Sequence, residues 1–316
     1  MKIYKSIFLL IVFLSVTSIS TASPKFADAK NMGEVDEKIL DEVSGLAASM
    51  DNPGVLWTHN DNGSDRRIYA INTSCRILAE YKLKIDDSKD WEDIAVGPGP
   101  EEGRSYIYVG DIGDNNGTYN KRSIYRFEEP EVDPDQKYAE FEIKEKHIDI
   151  IKFKYPDGSR DAEAMMLDPL TKDLYVISKR EDNVGVYLIK YPQSTEETIT
   201  MEHVATLPYG NEGFSGSGVT AGDISHDGRE IIIKQYFQVY YYYRAEGETV
   251  ASALSKDFAI LPYLPEPQGE AICWAYDGSG YYTLSERGSS ILQRTPVLYF
   301  YQRLTDSKKK ARSKKN

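Results

Sequence analysis

A six-residue phrase recurs five times along the chain, each time as a small or acidic residue followed by apolar residues that run into a turn. The copies read SGLAAS from Ser44, EDIAVG from Glu92, EAMMLD from Glu163, GDISHD from Gly222 and EAICWA from Glu270. Their starts lie roughly 50 to 70 residues apart, the period of a four-stranded propeller blade and not of a helical solenoid repeat. The chain therefore reads as all-β, a β-propeller of five four-stranded blades closed into one ring over residues 23–305.

Composition and punctuation agree. The 24 tyrosines and 3 tryptophans favour strands, while the 23 glycines and 14 prolines fall mostly between β-rich runs. Blade five supplies only EAICWA, YYTLSER and PVLYFYQR before a basic stretch begins. The segment Lys30-Asn-Met-Gly-Glu-Val fills the vacant fourth position, so the N-terminal strand is expected to close the ring and leave no long unpaired edge. The second unit is the longest because of AEFEIKEKHIDIIKFKYP, read as one final segment of blade two. A sixth blade within that unit is the alternative.

Residues 1–22 have the form of a secretory signal: Lys2 and Lys5, the apolar run Ile7–Val16, then small residues. The protein is thus expected to be secreted and extracellular, and no other stretch approaches the roughly 20 apolar residues of a membrane span. In a eukaryotic producer Asn62, Asn72 and Asn116 would be glycosylation acceptors. The formal net charge is −12 although residues 306–316 are strongly basic, so the ring itself is acidic. Such a body repels nucleic acid and attracts cations. The basic tail reads as a disordered end, or as an electrostatic tether to an acidic matrix. Cys75 and Cys273 fall on different parts of their blades, too far apart for a disulfide, and are expected to be free, with Cys273 buried.

In a propeller the innermost strand starts, and the second strand ends, on one face of the ring. That rule gathers Glu42, Asp90, Glu92, Asp93, Asp161, Glu163, Asp223 and Glu270 with His59, Asn60, Asp61, Asn115, Lys179, Arg180, Glu286 and Arg287. Carboxylates crowded around one narrow channel raise one another's pKa values unless a cation compensates. Capping alone would favour Asp, Asn and Ser, whereas three Glu stand at one aligned position. A divalent cation, with Ca²⁺ the first choice, is the expected cofactor: Glu92, Glu163 and Glu270 as ligands, Asn60 or Asn115 adding an amide oxygen.

The phrases WTHNDNG (57–63), DWEDIAVGP (90–98), YVGDIGDN (108–115), YPDGSRDAEAM (155–165) and QGEAI (268–272) resemble those of a family of secreted microbial β-propeller proteins, over nearly the whole of residues 23–305. More distantly, the acidic blade starts are similar in style to calcium-dependent propeller hydrolases, including gluconolactonase-like lactonases and β-propeller phytases. That likeness is one of architecture, and architecture alone does not transmit function.

The leading functional expectation is a divalent-cation-dependent hydrolase of an ester, lactone or phosphoester at the channel. Asp93 or Asp161, or alternatively His59, would act as general base, and Lys179, Arg180 and Arg287 would neutralise the developing anion. A glycosidase ranks lower. A serine-nucleophile mechanism ranks lower still, since GFSGSG (213–218) is no nucleophile elbow. The competing class is a non-enzymatic propeller that binds a small molecule, glycan or matrix and holds its cation structurally. A metal with an open position and a pocket leading to it separates an enzyme from that class.

Overall fold

The computed structural model describes residues 23–61, 66–86, 88–208, 218–288 and 294–305. The expected signal segment, the basic tail, the sequon at Asn62 and all of GFSGSG but Gly218 lie outside them.

The described strands form five sheets, each an antiparallel run of four from the channel outward. Blade one is Val43–Ala48, Val55–Asn60, Arg67–Asn72 and Ile77–Leu83. Blade two is Trp91–Pro98, Ser105–Asp111, Arg122–Glu128 and Asp149–Lys154. Blade three is Ala162–Leu167, Leu174–Ser178, Val184–Ile189 and Glu202–Leu207. Blade four is Val219–Ile224, Glu230–Gln235, Val239–Tyr243 and Ala259–Leu261. Blade five takes Gln268–Trp274, Gly280–Glu286 and Val297–Leu304 from the end of the ring and Lys30–Glu34 from its start.

The five-blade ring and its N-terminal closure are thus as the sequence predicts, with no sixth sheet among the described residues. The closure is doubled, because Lys25–Phe26 also pairs with the far end of Val297–Leu304. One expectation is corrected. The long segment after blade two is not a single strand: Ala139–Ile143 crosses back to blade one and pairs in parallel with Ile77–Leu83, and only Asp149–Lys154 belongs to blade two. Ile199–Thr200 likewise adds in parallel to blade two. These additions cover two of the outer edges that a ring of hairpins leaves open.

The core is divided among the blade interfaces. Alternate residues of a strand point to opposite faces, so Leu56 packs toward blade five while Trp57 packs toward blade two. Five apolar clusters result, one at each contact between neighbouring blades. A strand covered on both faces needs no polar alternation, which accounts for runs such as Ile231-Ile232-Ile233 in blade four, all fully buried.

Candidate metal centre at the channel mouth

Each innermost strand skips one residue in its pairing with the second strand. The skipped residues are Ser44, Glu92, Glu163, Thr220 and Glu270. A bulge sets two residues against one partner and re-aims the extra side chain. The sequence repeat is therefore a repeated bulge that turns one side chain per blade toward the channel. In blade four the equivalent residue is Thr220, two positions before the Gly222 at which the sequence phrase begins.

Glu92 is 3% exposed, and its carboxylate has no hydrogen-bond partner among the described residues. Asp90, just before the same strand, is aimed by its backbone: its N–H donates to Asp111 Oδ1 at 2.8 Å, and Asp111 is itself held by Arg122 at 3.0 Å and by the Tyr125 hydroxyl at 3.1 Å. Asp61 enters from the end of the second strand of blade one, its N–H on the Glu42 carbonyl at 2.7 Å. Oxygen atoms of Asp61, Asp90 and Glu92 lie within 4.8 Å of one another. That is the spread allowed to ligands of one ion with bonds of about 2.4 Å. Asn60 Oδ1 and Asp61 Oδ1 are buried without a partner among the described residues, and Asn60 is fixed by its amide N–H on the Ile39 carbonyl at 2.7 Å. The backbone of Gly113 runs so close that a β-carbon there would sit 2.0 Å from Glu92 Oε1 and 2.6 Å from Asp90 Oδ2.

Electrostatics follow from this crowding. Burial, then the neighbouring Asp90, Glu270 and Glu42, push Asp61 up to about 7. Burial, then Glu163, Asp61 and Asp90, hold Glu92 well above the usual carboxylate range. Glu286 is raised by burial first and then by Glu270.

The three glutamates expected to share one ion are divided. Glu163 is ion-paired with Lys179. Glu270 Oε1 accepts from the Tyr236 hydroxyl at 2.8 Å and from Gln268 Nε2 at 3.2 Å, and Lys179 Nζ donates to Tyr236 at 3.0 Å. Only Glu92 of the three belongs to the converging group, where Asp61 and Asp90 join it. Both were placed on this face by the blade geometry, but their convergence with Glu92 was hidden, because neither occupies the repeated position. Tyr236 had no signal in the sequence beyond its place after the second strand of blade four.

The other expected residues are distributed as follows. Asp93 binds Ile94 N–H at 2.9 Å and, across the blade boundary, Met165 N–H at 2.8 Å, so both its oxygens are engaged as an interblade clasp. Asp223 repeats that clasp from blade four to blade five, on Ile224 and Trp274 N–H, each at 2.8 Å. Asp161 accepts from Asp114 N–H at 2.7 Å and from Arg180 Nε at 2.7 Å. Asn115 is exposed, with its amide oxygen on Arg180, so it stands on the rim and away from the three carboxylates. Arg287 is also at the rim, 42% exposed and 3.9 Å from Glu37. His59 is fully buried beside Trp91, and burial lowers it to about 4, so it is a neutral ring in the blade one–two interface. Cys75 and Cys273 are free and Cys273 is buried, as expected; Cys75 is buried as well. The opposite end of the channel is bordered by Ala48, Val96, Leu167, Ile224 and Ala275, with Asp223 and His226 beside them.

No family model matches the chain, and no curated protein sequence matches it. Among solved structures it is similar to a luciferin-regenerating enzyme, with 12% identity and a TM-score of 0.45 over 89% of this chain and 95% of that one. It is also similar to a chain of a nidogen/laminin complex, with 13% identity and a TM-score of 0.43 over 77% of this chain and 72% of that one. The propeller architecture is carried by the five closed sheets themselves.

Proposed function

We propose that this protein is a secreted propeller whose acidic channel mouth binds a divalent cation through Asp61, Asp90 and Glu92, and that it uses this centre to hydrolyse an ester, lactone or phosphoester. The observation that carries the reading is the meeting of three carboxylates within 4.8 Å, one of them almost fully buried and without a hydrogen-bond partner among the described residues. Buried carboxylates are normally paired or hydrogen-bonded, so an arrangement that leaves them facing one another is complete only with a cation between them. Oxygen-only donors of this kind fit Ca²⁺ or Mg²⁺ and not a thiol- or imidazole-seeking metal. When bound, such a cation supplies polarisation of a substrate oxygen and a more acidic water. The chain's own contribution is an approach from the open face, with Arg180 and Arg287 at the rim, 49% and 42% exposed, to receive an anionic group.

A second reading is favoured by a specific observation. Asp93, Asp161 and His59, the expected bases, are all engaged in the scaffold, which fits a propeller that binds a small molecule or glycan through its cation without turning it over.

Calorimetric titration of Ca²⁺ into chelator-treated protein tests the centre. Saturable binding is expected in the native chain, with a loss of at least about 100-fold in Glu92→Gln and in Asp61→Asn. Equal binding by all three proteins would remove these residues as ligands. A panel of lactones, aryl esters and phosphoesters assayed with Ca²⁺, with Mg²⁺ and with chelator then separates the two readings. Cation-dependent turnover is the outcome for the hydrolase, and cation-dependent ligand binding without turnover is the outcome for the binding protein.

A further inference from the structure

We infer that Lys179 is the channel's built-in second cation: its ammonium fills the position between blades three and five that another metal ion would take, so the mouth accepts a single exchangeable ion. This rests on the reading that Asp61, Asp90 and Glu92 bind a divalent cation.

Five of the carboxylates at the mouth fall into two groups. Asp61, Asp90 and Glu92, on blades one and two, have no cationic side chain hydrogen-bonded to their carboxylates among the described residues. Glu163 and Glu270, on blades three and five, are bridged by one unit: Lys179 pairs with Glu163 and donates to Tyr236, and Tyr236 donates to Glu270. The ammonium also lies 5.0 Å from the centre of the Tyr236 ring, a cation–π contact that strengthens away from water.

Lys179 is held as a fixture. It follows the second strand of blade three directly, and its N–H donates to the Asp161 carbonyl at 3.1 Å. Its alkyl stem is packed against the entry to blade four, where a β-carbon on Gly218 would lie 2.7 Å from Lys179 Cγ and 3.1 Å from Cε. The side chain is 10% exposed. A metal ion entering this half would have to drive a buried ammonium off Glu163, the carboxylate it is paired with among the described residues, and an uncompensated buried charge is strongly unfavourable. The two halves are therefore not equivalent, although both derive from the same repeated bulge. One is left for an exchangeable ion and the other is occupied by an ammonium that the chain itself supplies.

The test is ion stoichiometry measured by calorimetry on chelator-treated full-length protein with CaCl₂ as the probe. The native chain is expected to take one Ca²⁺, and Lys179→Met to take two, with the first bound about tenfold more tightly once the neighbouring positive charge is gone. In the native background Glu163→Gln should keep the stoichiometry at one, because Glu163 serves the lysine; in the Lys179→Met background the same change should abolish the added ion. Lys179→Gln and circular dichroism at each step guard against misfolding. One ion in every folded Lys179 variant, with unchanged affinity, would overturn the counter-ion role and leave the metal centre standing. No ion in the native chain would overturn the metal centre, and this inference with it.

Discussion

At the scale of single residues, the buried carboxylates divide into those that hold the ring and those that face one another. Glu129 is the clearest of the first kind. It is 6% exposed and accepts from Trp57 Nε1 at 2.7 Å, from Ser105 Oγ at 2.6 Å, from Asn52 Nδ2 at 3.3 Å and from Ser49. It thereby ties the hairpin turn of blade one to blade two. Glu129→Ala strands several buried donors at once, and a loss of about 3 kcal/mol is expected in chemical denaturation, with a smaller loss for Glu129→Gln. In the sequence Glu129 is an ordinary acidic residue before a proline, because its partners lie some 80 positions upstream in Ser49 and Asn52. The same reason hid the clasp role of Asp93. Its type and place on the channel face were legible, but its partner Met165 is on another blade, and nothing local distinguishes a carboxylate that receives a backbone N–H from one left free for chemistry.

At the scale of elements, period and alternation disclosed what depends on spacing, and concealed what depends on pairing across blades. The five innermost strands and the borrowed strand of blade five could be read because each blade needs four strands and the last lacks one. The bulges could be glimpsed as a phrase, but the register of the fourth copy slipped by two residues, since Thr220 is not acidic and Asp223 lies close by. The crossing of Ala139–Ile143 to blade one had no sequence signature, as a parallel edge pairing requires only a strand of suitable length. Closure is where an element-scale experiment is most informative. Phe26 is 7% exposed, packs edge-on to Tyr281 at 5.0 Å and lies under Arg303. Phe26→Ala is expected to cost about 3 kcal/mol, and removal of residues 23–34 to abolish the cooperative transition. Retention of a sharp native-like melt after that truncation would show that the ring closes without the borrowed strands.

At the scale of the whole molecule, acidity governs behaviour in solution. Burial, offset in part by backbone donors, raises Asp223 to about 7, and burial likewise brings Glu266 to about 7; Asp61 reaches about the same value. A carboxyl whose pKa is higher in the folded state binds its proton more tightly there. Its contribution is complete below about pH 4 and is lost as the pH rises through about 7. The chelated protein should therefore melt at progressively lower temperature between pH 5 and pH 8. Self-repulsion from a net charge of −12 acts in the same direction. Calcium should raise the midpoint at pH 8, by the share that Asp61 and its neighbours contribute, and do little at pH 5, where protons compete for the same oxygens; differential scanning calorimetry with and without Ca²⁺ would show it, and a chelated midpoint that climbs with pH would contradict it. The doubled closure also sets the molecule's orientation. Lys25 pairs with Leu304, and Gln302 lies level with Gly280, next to the Trp274 end of the innermost strand and away from Glu270. Both ends of the ring thus leave blade five on the side opposite the acidic mouth. An anchor, a tag or a partner domain attached at either end would grip the ring from behind, and its acidic cup would face the surrounding medium unobstructed.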